Sequence, residues 1–525
     1  MKVLVTDPIE QVCTDILAKE GIEVDAKPGL PPDEIKKIIG GYDGLIVRSG
    51  TKVTADIIAE AKSMKVIGRA GAGVDNIDVG AATRKGIVVM NTPGGNTVST
   101  AEHTMALMMS LARNIPQSFH DIQNGKWERK KYMGTELFGK TLGVIGLGKV
   151  GREVAFRAKA FGMSVIGYDP LLAADAASNL GFELVSVDDL IRRSDFITVH
   201  TPLTEETRAI LGEKAFSICK RGVRVINCAR GGIVDEEALL KALESGKVAG
   251  AALDVFIKEP PGDNPLFKHP KVIATPHLGA STEEAQEKVA KQIGEQLVDF
   301  FKGRGIAGAV NIIDYQTAVS DELRSYLMLA EKIGSLQAQL LSGKIKSITA
   351  SYRGALLQNS SELLSTAFLK GMLDGLMYAP VNFVNAPVIA KEMGIALSEK
   401  KEKDGEHYPY LLTVEVLTDR EERTVSGTVF SQKEMRIVGI DKFHFEIVPE
   451  GRLLFYSNLD RPGMLAAVGG ILASAKINIA GVSLGRSAPG DKAITIMSID
   501  NEIPEPVLKE ISKVEGVFEV KSIKL

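Results

Sequence analysis

The chain is poor in the residues that build covalent or metal-held frameworks. It has three cysteines in 525 residues, Cys13, Cys219 and Cys228, and no C-x-x-C pair. Neither a disulfide scaffold nor a metal site is predicted, and a reducing, cytoplasmic compartment fits. An excess of one charge is also missing: 63 Lys plus Arg stand against 66 Asp plus Glu, a net −3. No global field therefore favours nucleic acid or anionic lipid, and any basic site has to be local. Long hydrophobic runs are absent too. The most apolar stretch, "FLKGMLDGLMYAPVNFVNAPVIA", carries Lys370, Asp374 and two prolines, which argues against a membrane span. The opening "MKVLVTDPIE" lacks the apolar stretch and small-residue cleavage site of a secretory signal. The expectation is a cytoplasmic, soluble protein that binds neither nucleic acid nor membrane.

What the chain does have is core-forming material, 45% apolar against 25% charged residues, and at roughly 150 residues per domain it has room for three or four domains. Short Val/Ile/Leu-rich runs alternate with amphipathic stretches: "KVLVT", "IEVDA", "GLIVRS", "KVIGRA" and "IVVMNT" form one series. A second runs through "TLGVIGLG", "SVIGYD", "FITVHTP", "VRVINCA", "VAGAALDV" and "KVIATPH". This rhythm predicts an α/β protein with two doubly wound parallel-sheet lobes. The helical stretch starting near 97 joins the series, and "STEEAQEKVAKQIGEQLVDFFKG", with Ser281 or Thr282 as N-cap, is long enough to carry the chain back across. The first lobe is thus assigned to 1–96 and 283–314, and the second to 97–282. From 315 to 450 the texture becomes α+β, a helical region followed by strands. The tail, 451–525, reads β-α-β-β-α-β, a ferredoxin-like order.

"GLGKVG" supplies Gly146, Gly148 and Gly151 as G-x-G-x-x-G between an apolar run and a helical pattern, with Asp169 eighteen residues after Gly151. Alone the motif is weak. In this context it reads as a dinucleotide turn, with backbone close to a pyrophosphate at a helix N-terminus and a carboxylate for the ribose hydroxyls. An acid at 169, followed by Pro170 and Leu171, favours NAD over NADP.

Other polar residues close the strands of the second series: Arg230 after "VINCA", Asp254 and Glu259 in "AALDVFIKEPP", and His277 after "KVIATP". Each alone has a plain reading, as a solvated strand end, a loop acid or a packed histidine. Together, at strand ends that face the same crevice as the glycine turn, they suit removal of hydride from a carbinol carbon. That reaction needs a base for the hydroxyl proton and a cation for a neighbouring carboxylate, tasks that suit histidine and arginine, with a glutamate raising and orienting the imidazole.

The runs "VIGLGKVGREVA", "GYDP", "HTPLTEETRAIL", "INCARGGIVDEEAL", "ALDVFIKEPP" and "ATPHLGAST" resemble the D-isomer-specific 2-hydroxyacid dehydrogenase family. "VRSGTKVT", "RAGAGVDNID", "NTPGGNTVSTAEHTMALMMSLARN" and "WERKKYMG" are similar to its branch that oxidises 3-phosphoglycerate with NAD in serine biosynthesis. The resemblance implies that 315–450 is an intervening domain, that 451–525 is an ACT domain, and that the chain forms a homotetramer or homodimer. It also implies Arg230, Glu259 and His277 as catalytic residues. Its NAD contacts fall on Lys149, Val150, Asp169, Thr201, Cys228, Ala229, Arg230, Asp254, His277, Leu278, Gly279 and Ala280. A further contact falls on Ala72, where only backbone is on offer.

For the substrate phosphate, Arg48 and Ser49 end a first-lobe strand, and Arg129, Lys130 and Lys131 stand beside the only tryptophan. The latter cluster reads equally as a solvated loop, but the resemblance implies that such a loop lies near the substrate's anionic end, in some relatives across a subunit boundary. In the tail, Asn458, Asp460 and Asn478 match the ACT positions that hold an L-serine effector, although Asp460 departs from the neutral side chains of that pattern. Two other functions stay open at this level: a sibling dehydrogenase acting on 2-oxoglutarate, glyoxylate or hydroxypyruvate, and a non-enzymatic NAD-sensing corepressor.

Overall fold

The computed structural model describes residues 1–172, 181–312, 320–377, 380–403 and 408–525. Its first sheet contains β1 (Lys2–Val5), β2 (Glu23–Ala26), β3 (Gly44–Val47), β4 (Val66–Arg69) and β5 (Val88–Met90), all parallel in the order β2-β1-β3-β4-β5. β1, β3, β4 and β5 read as nearly unbroken apolar runs because both faces are buried, whereas the edge strand β2 (EVDA) is largely exposed. Val3, Val5 and Ile46 enter one core while Leu4, Leu45 and Val47 enter the other. The helix Glu283–Phe301, capped by the Thr282 hydroxyl, brings Val289, Ile293 and Leu297 onto the first of these cores. It lies so close that a Cβ at Gly68 would stand 2.7 Å from the Leu297 side chain. Beyond it the Val310 N–H donates to the Val89 carbonyl, which ties residues after the helix to the edge of this sheet.

The second sheet is also all parallel: β6 (Thr141–Ile145), β7 (Ser164–Tyr168), β8 (Glu183–Leu184), β9 (Phe196–Val199), β10 (Val223–Asn227), β11 (Val248–Leu253) and β12 (Val272–Ala274). Their order, β12-β11-β10-β9-β6-β7-β8, reverses direction between β6 and β9, the switch point at which open α/β sheets bind ligands. Val225 and Ala251 face one core while Ile226 and Ala252 face the other. The helix Thr97–Arg113 packs Ala101, Met105, Met108 and Leu111 into the latter core, so it belongs to this lobe.

The third sheet holds β13 (Ile345–Arg353), β14 (Ala396–Glu402), β15 (Leu411–Thr418), β16 (Glu422–Phe430), β17 (Glu434–Ile440) and β18 (Phe443–Ile447), with the helices Asp321–Leu340 and Ser361–Asp374 against it. The α+β texture of 315–450 predicts a helical region followed by strands. The structure instead makes "ALSEKKE" the edge strand β14, parallel to β13 and almost wholly exposed. With no buried face it carries no apolar alternation to announce it.

The fourth sheet is antiparallel, in the order β20-β21-β19-β22, from β19 (Arg452–Leu459), β20 (Ile479–Arg486), β21 (Lys492–Ile499) and β22 (Val517–Lys524). Its helices Met464–Ser474 and Glu505–Ile511 complete the ferredoxin-like order. Leu453, Phe455, Ile494 and Ile496 join the core of the third unit, and Gln339 exchanges two hydrogen bonds of 2.9 Å with the Lys524 backbone. The expected boundary between 314 and 315 lies outside the described residues.

Candidate active site

The glycine turn follows β6 and opens the helix Lys149–Ala160. Gly146 has φ of 92° and could carry no Cβ, which would lie 2.8 Å from the His200 carbonyl; at Gly151 a Cβ would lie 1.9 Å from the Gly146 carbonyl. These two glycines close the turn. Gly148 differs, because among the described residues a Cβ there would meet nothing within 4 Å, so its backbone borders space open to a ligand at the helix N-terminus. Asp169 follows β7, and its carboxylate accepts the N–H groups of Leu147 (2.8 Å) and Leu171 (2.9 Å), which joins it to the same turn.

A cavity of about 250 Å3 adjoins this turn, lined by Ala72, Val150, Thr201, Cys228, Ala229, Arg230, Asp254, His277, Gly279 and Ala280. Thr201 Oγ1 is buried there without a hydrogen-bond partner among the described residues, a polar atom left for a ligand. An open glycine turn, an acid for the ribose and an unpaired hydroxyl fit a nicotinamide dinucleotide. Burial pushes the Cys228 thiol up to about 12, so it forms a neutral wall and is no nucleophile. His200, not singled out from sequence, is pushed down to about 4 by burial and stays neutral beside Thr198. Lys149 stands at the helix start with Nζ 3.5 Å from the Pro93 carbonyl of the other lobe.

Arg230, Glu259 and His277 follow β10, β11 and β12, three adjacent strands, and so reach one place from three separate stretches of sequence. Asn227 fixes the Arg230 loop: its Nδ2 donates to the Arg230 carbonyl (2.9 Å) and its Oδ1 accepts the Ala229 N–H (3.0 Å). Gly231 is required because a Cβ would fall 1.9 Å from the Phe256 carbonyl. His277 Nδ1 lies 2.8 Å from Glu259 Oε2, while Glu259 Oε1 accepts the Phe256 N–H at 3.0 Å. A carboxylate on the Nδ1 side makes Nδ1–H the donor and leaves the Nε2 lone pair free in the neutral ring. Asp254 is buried and accepts from Thr275 Oγ1 (2.6 Å), Leu278 N–H (2.7 Å) and Gly279 N–H (2.8 Å), so it shapes the turn that carries His277.

The electrostatics follow from these contacts. The Glu259 hydrogen bond raises the His277 pKa above its ordinary 6.5, against the opposing effect of burial. Burial would raise Glu259, but the His277 and Phe256 hydrogen bonds outweigh it and hold this carboxyl below its usual range.

Arg48 and Ser49 follow β3. Arg48 donates its N–H to Asp7 (2.6 Å) and its Nη1 to the Pro8 carbonyl (3.2 Å), while Ser49 lines a cavity of about 480 Å3 with Glu259 and His277. Sequence reading missed two residues of this corner. Arg69 ends β4 with Nε 2.8 Å from Asn76 Oδ1; burial lowers its pKa, and the charges of Arg230 and Arg48 act in the same direction. The strand-end position that singled out Arg48 applies equally to Arg69. The second is Asp75, whose Oδ2 lies 2.9 Å from Arg230 Nε.

Arg129, Lys130 and Lys131 occupy the exposed 3-10 turn Arg129–Tyr132, where Lys131 and the Tyr132 hydroxyl both bind Asp121 (2.7 and 2.6 Å). Within one chain they line neither cleft cavity described above. In the fourth sheet Asn458 is buried with Oδ1 unpartnered among the described residues, and Asp460 Oδ2 accepts from Arg486 Nη1 (3.3 Å). Asn478 donates to Asp500 (2.7 Å). Asn458 pairs with Ala493, whereas Ile479 sits with Ile499 at the Arg452 end, so one chain does not bring Asn458 and Asn478 together.

Comparison with known proteins finds three family models along the chain. Residues 105–279 match the NAD binding domain of the D-isomer specific 2-hydroxyacid dehydrogenases, 322–441 the D-3-phosphoglycerate dehydrogenase intervening domain, and 452–516 the ACT domain. Among curated relatives, a D-3-phosphoglycerate dehydrogenase of Archaeoglobus fulgidus is 44% identical over 528 residues, covering 100% of both chains. One of Bacillus subtilis is 44% identical over 92% of each. Among solved structures, a glyoxylate reductase from Paecilomyes thermophila is 33% identical with a TM-score of 0.54, covering 59% of this chain and 98% of its own. A D-lactate dehydrogenase from Aquifex aeolicus, complexed with NAD and lactic acid, is 30% identical with a TM-score of 0.51, covering 58% and 96%.

Proposed function

This chain belongs to the D-3-phosphoglycerate dehydrogenase family, and we propose that Arg230, Glu259 and His277 perform the family's reaction in it. The enzyme oxidises D-3-phosphoglycerate to 3-phosphohydroxypyruvate with NAD, the first step of L-serine biosynthesis. NAD, when bound, accepts the hydride from C2. His277 Nε2 takes the hydroxyl proton, and Glu259 holds the resulting imidazolium through Nδ1. Arg230 binds the carboxylate and stabilises the forming carbonyl. In the reverse direction His277 returns the proton as a general acid. The observation that carries this reading is the 2.8 Å His277–Glu259 contact, made with Nε2 free at the ends of adjacent strands. Arg230→Lys keeps the charge and loses the planar fork, and kcat/KM is expected to fall by about tenfold or more. An unchanged value would return Arg230 to a structural role.

The phosphate end falls to Arg48 with Ser49, joined by Arg69, all at first-lobe strand ends. Arg129 and Lys130 complete this cationic site from a partner subunit. That assembly, a homodimer or homotetramer, is supported by the apolar side chains around the turn: Phe119, Trp127, Met133 and Phe138 are 61%, 79%, 81% and 75% exposed in one chain. The ACT domain binds a small regulatory molecule. L-serine is the effector proposed, held between Asn458 and Asp460 of one ACT domain and Asn478 of a second. Three free, buried thiols support a cytoplasmic location; among the described residues no helix is long and apolar enough to cross a membrane.

A further inference from the structure

Arg230 is held from both lobes. Its Nη1 donates to the Ala229 carbonyl at 2.7 Å, within its own loop, while its Nε is ion-paired with Asp75 Oδ2 at 2.9 Å, across the cleft. A guanidinium has five N–H donors in one rigid plane. The ion pair at Nε and the hydrogen bond at Nη1 restrict the guanidinium from two sides, and Nη2 makes no hydrogen bond among the described residues. Gly73 makes this approach sterically feasible, since a Cβ there would fall 2.1 Å from Arg230 Nη2 and 2.8 Å from Asp75 Oδ2.

The loop that presents Asp75 is itself fixed. Its neighbour Asn76 donates Nδ2 to the carbonyls of Arg48 (2.7 Å) and Thr51 (2.6 Å) and accepts Arg69 Nε on its Oδ1 (2.8 Å). Asp75 is 73% exposed, so its ion pair adds little to folding stability. Its effect lies in where it points the guanidinium. Because Asp75 belongs to the first lobe and Arg230 to the second, the anchor exists only when the lobes stand together.

We propose that Asp75 is a positioning residue for the reaction: across the closed cleft it aims the Arg230 guanidinium at the substrate carboxylate. This rests on the reading of Arg230 as the carboxylate ligand. The test is a double-mutant cycle. Asp75→Ala, Asp75→Asn, Arg230→Lys and the Asp75/Arg230 double variants are compared in steady-state reduction of phosphohydroxypyruvate, with NADH affinity measured by NADH fluorescence. Asp75→Ala is expected to lower kcat/KM by about tenfold while NADH Kd stays within about twofold. Asp75→Asn, which keeps an acceptor oxygen, loses less, and in the Arg230→Lys background Asp75→Ala costs no more than about twofold. An unchanged or raised kcat/KM in Asp75→Ala would overturn the proposal, as would an equal fractional loss in both backgrounds. If Asp75→Ala does not fold, Asp75→Asn carries the same comparison. A normal Arg230→Lys enzyme would instead sink the Arg230 reading itself.

Discussion

At the residue scale the proposed site turns on a histidine whose basicity is raised chiefly by one carboxylate. Glu259 raises the His277 pKa through a 2.8 Å hydrogen bond, so the proton is bound more tightly than by an ordinary imidazole. With His277 in its proposed role, oxidation needs the unprotonated ring and is expected to speed up as pH rises through this raised pKa, while reduction needs the protonated ring and is expected to fall over the same interval. Glu259→Gln removes the charge that lifts the pKa. Its acid limb in kcat/KM for 3-phosphoglycerate oxidation is expected at lower pH than in the wild type, with a reduced plateau. Superimposable pH profiles would remove Glu259 from the mechanism. The polar strand ends were legible in the sequence because Arg230, Glu259 and His277 each follow an apolar run that names its strand. The Asp75–Arg230 pair was not, since 155 positions separate its partners and only the closing of two lobes brings them together.

At the element scale, apolar periodicity carried nearly everything that both faces of a sheet bury, and failed where neither face is buried. The four buried strands of the first sheet, β1, β3, β4 and β5, and the glycine turn before Lys149–Ala160 follow from pattern alone. The edge strand β14, "ALSEKKE", does not, because parallel pairing to β13 rather than burial makes it a strand. The segment from the helix Ile115–Gln123 to Phe138 shows the converse. It leaves Phe119, Trp127, Met133 and Phe138 in solvent, more apolar surface than one isolated chain ordinarily carries there. Light scattering is expected to give at least a dimer mass. A monomer at micromolar concentration would remove both the partner-supplied cations and an effector site between paired ACT domains.

At the scale of the whole molecule, two lobes form the reaction cleft and two further units extend from it in series. Asn382 of the third unit donates to the Gly86 carbonyl of the first lobe at 2.9 Å. The fourth sheet shares its core with the third unit. A continuous packed path therefore runs from the ACT sheet to the lobe that holds Arg48, Arg69 and Asp75. On the proposed reading, the cleft offers cations for two anionic ends of one substrate: Arg230 for a carboxylate, and Arg48 with Arg69 for a phosphate. Hydroxy acids that lack the phosphate leave that second group unused, which makes preference among substrates the most direct reading of the cleft. The decisive measurement follows NADH oxidation with phosphohydroxypyruvate, hydroxypyruvate, glyoxylate and 2-oxoglutarate in parallel. The highest kcat/KM is expected for phosphohydroxypyruvate, and a higher value for any of the other three would contradict the account.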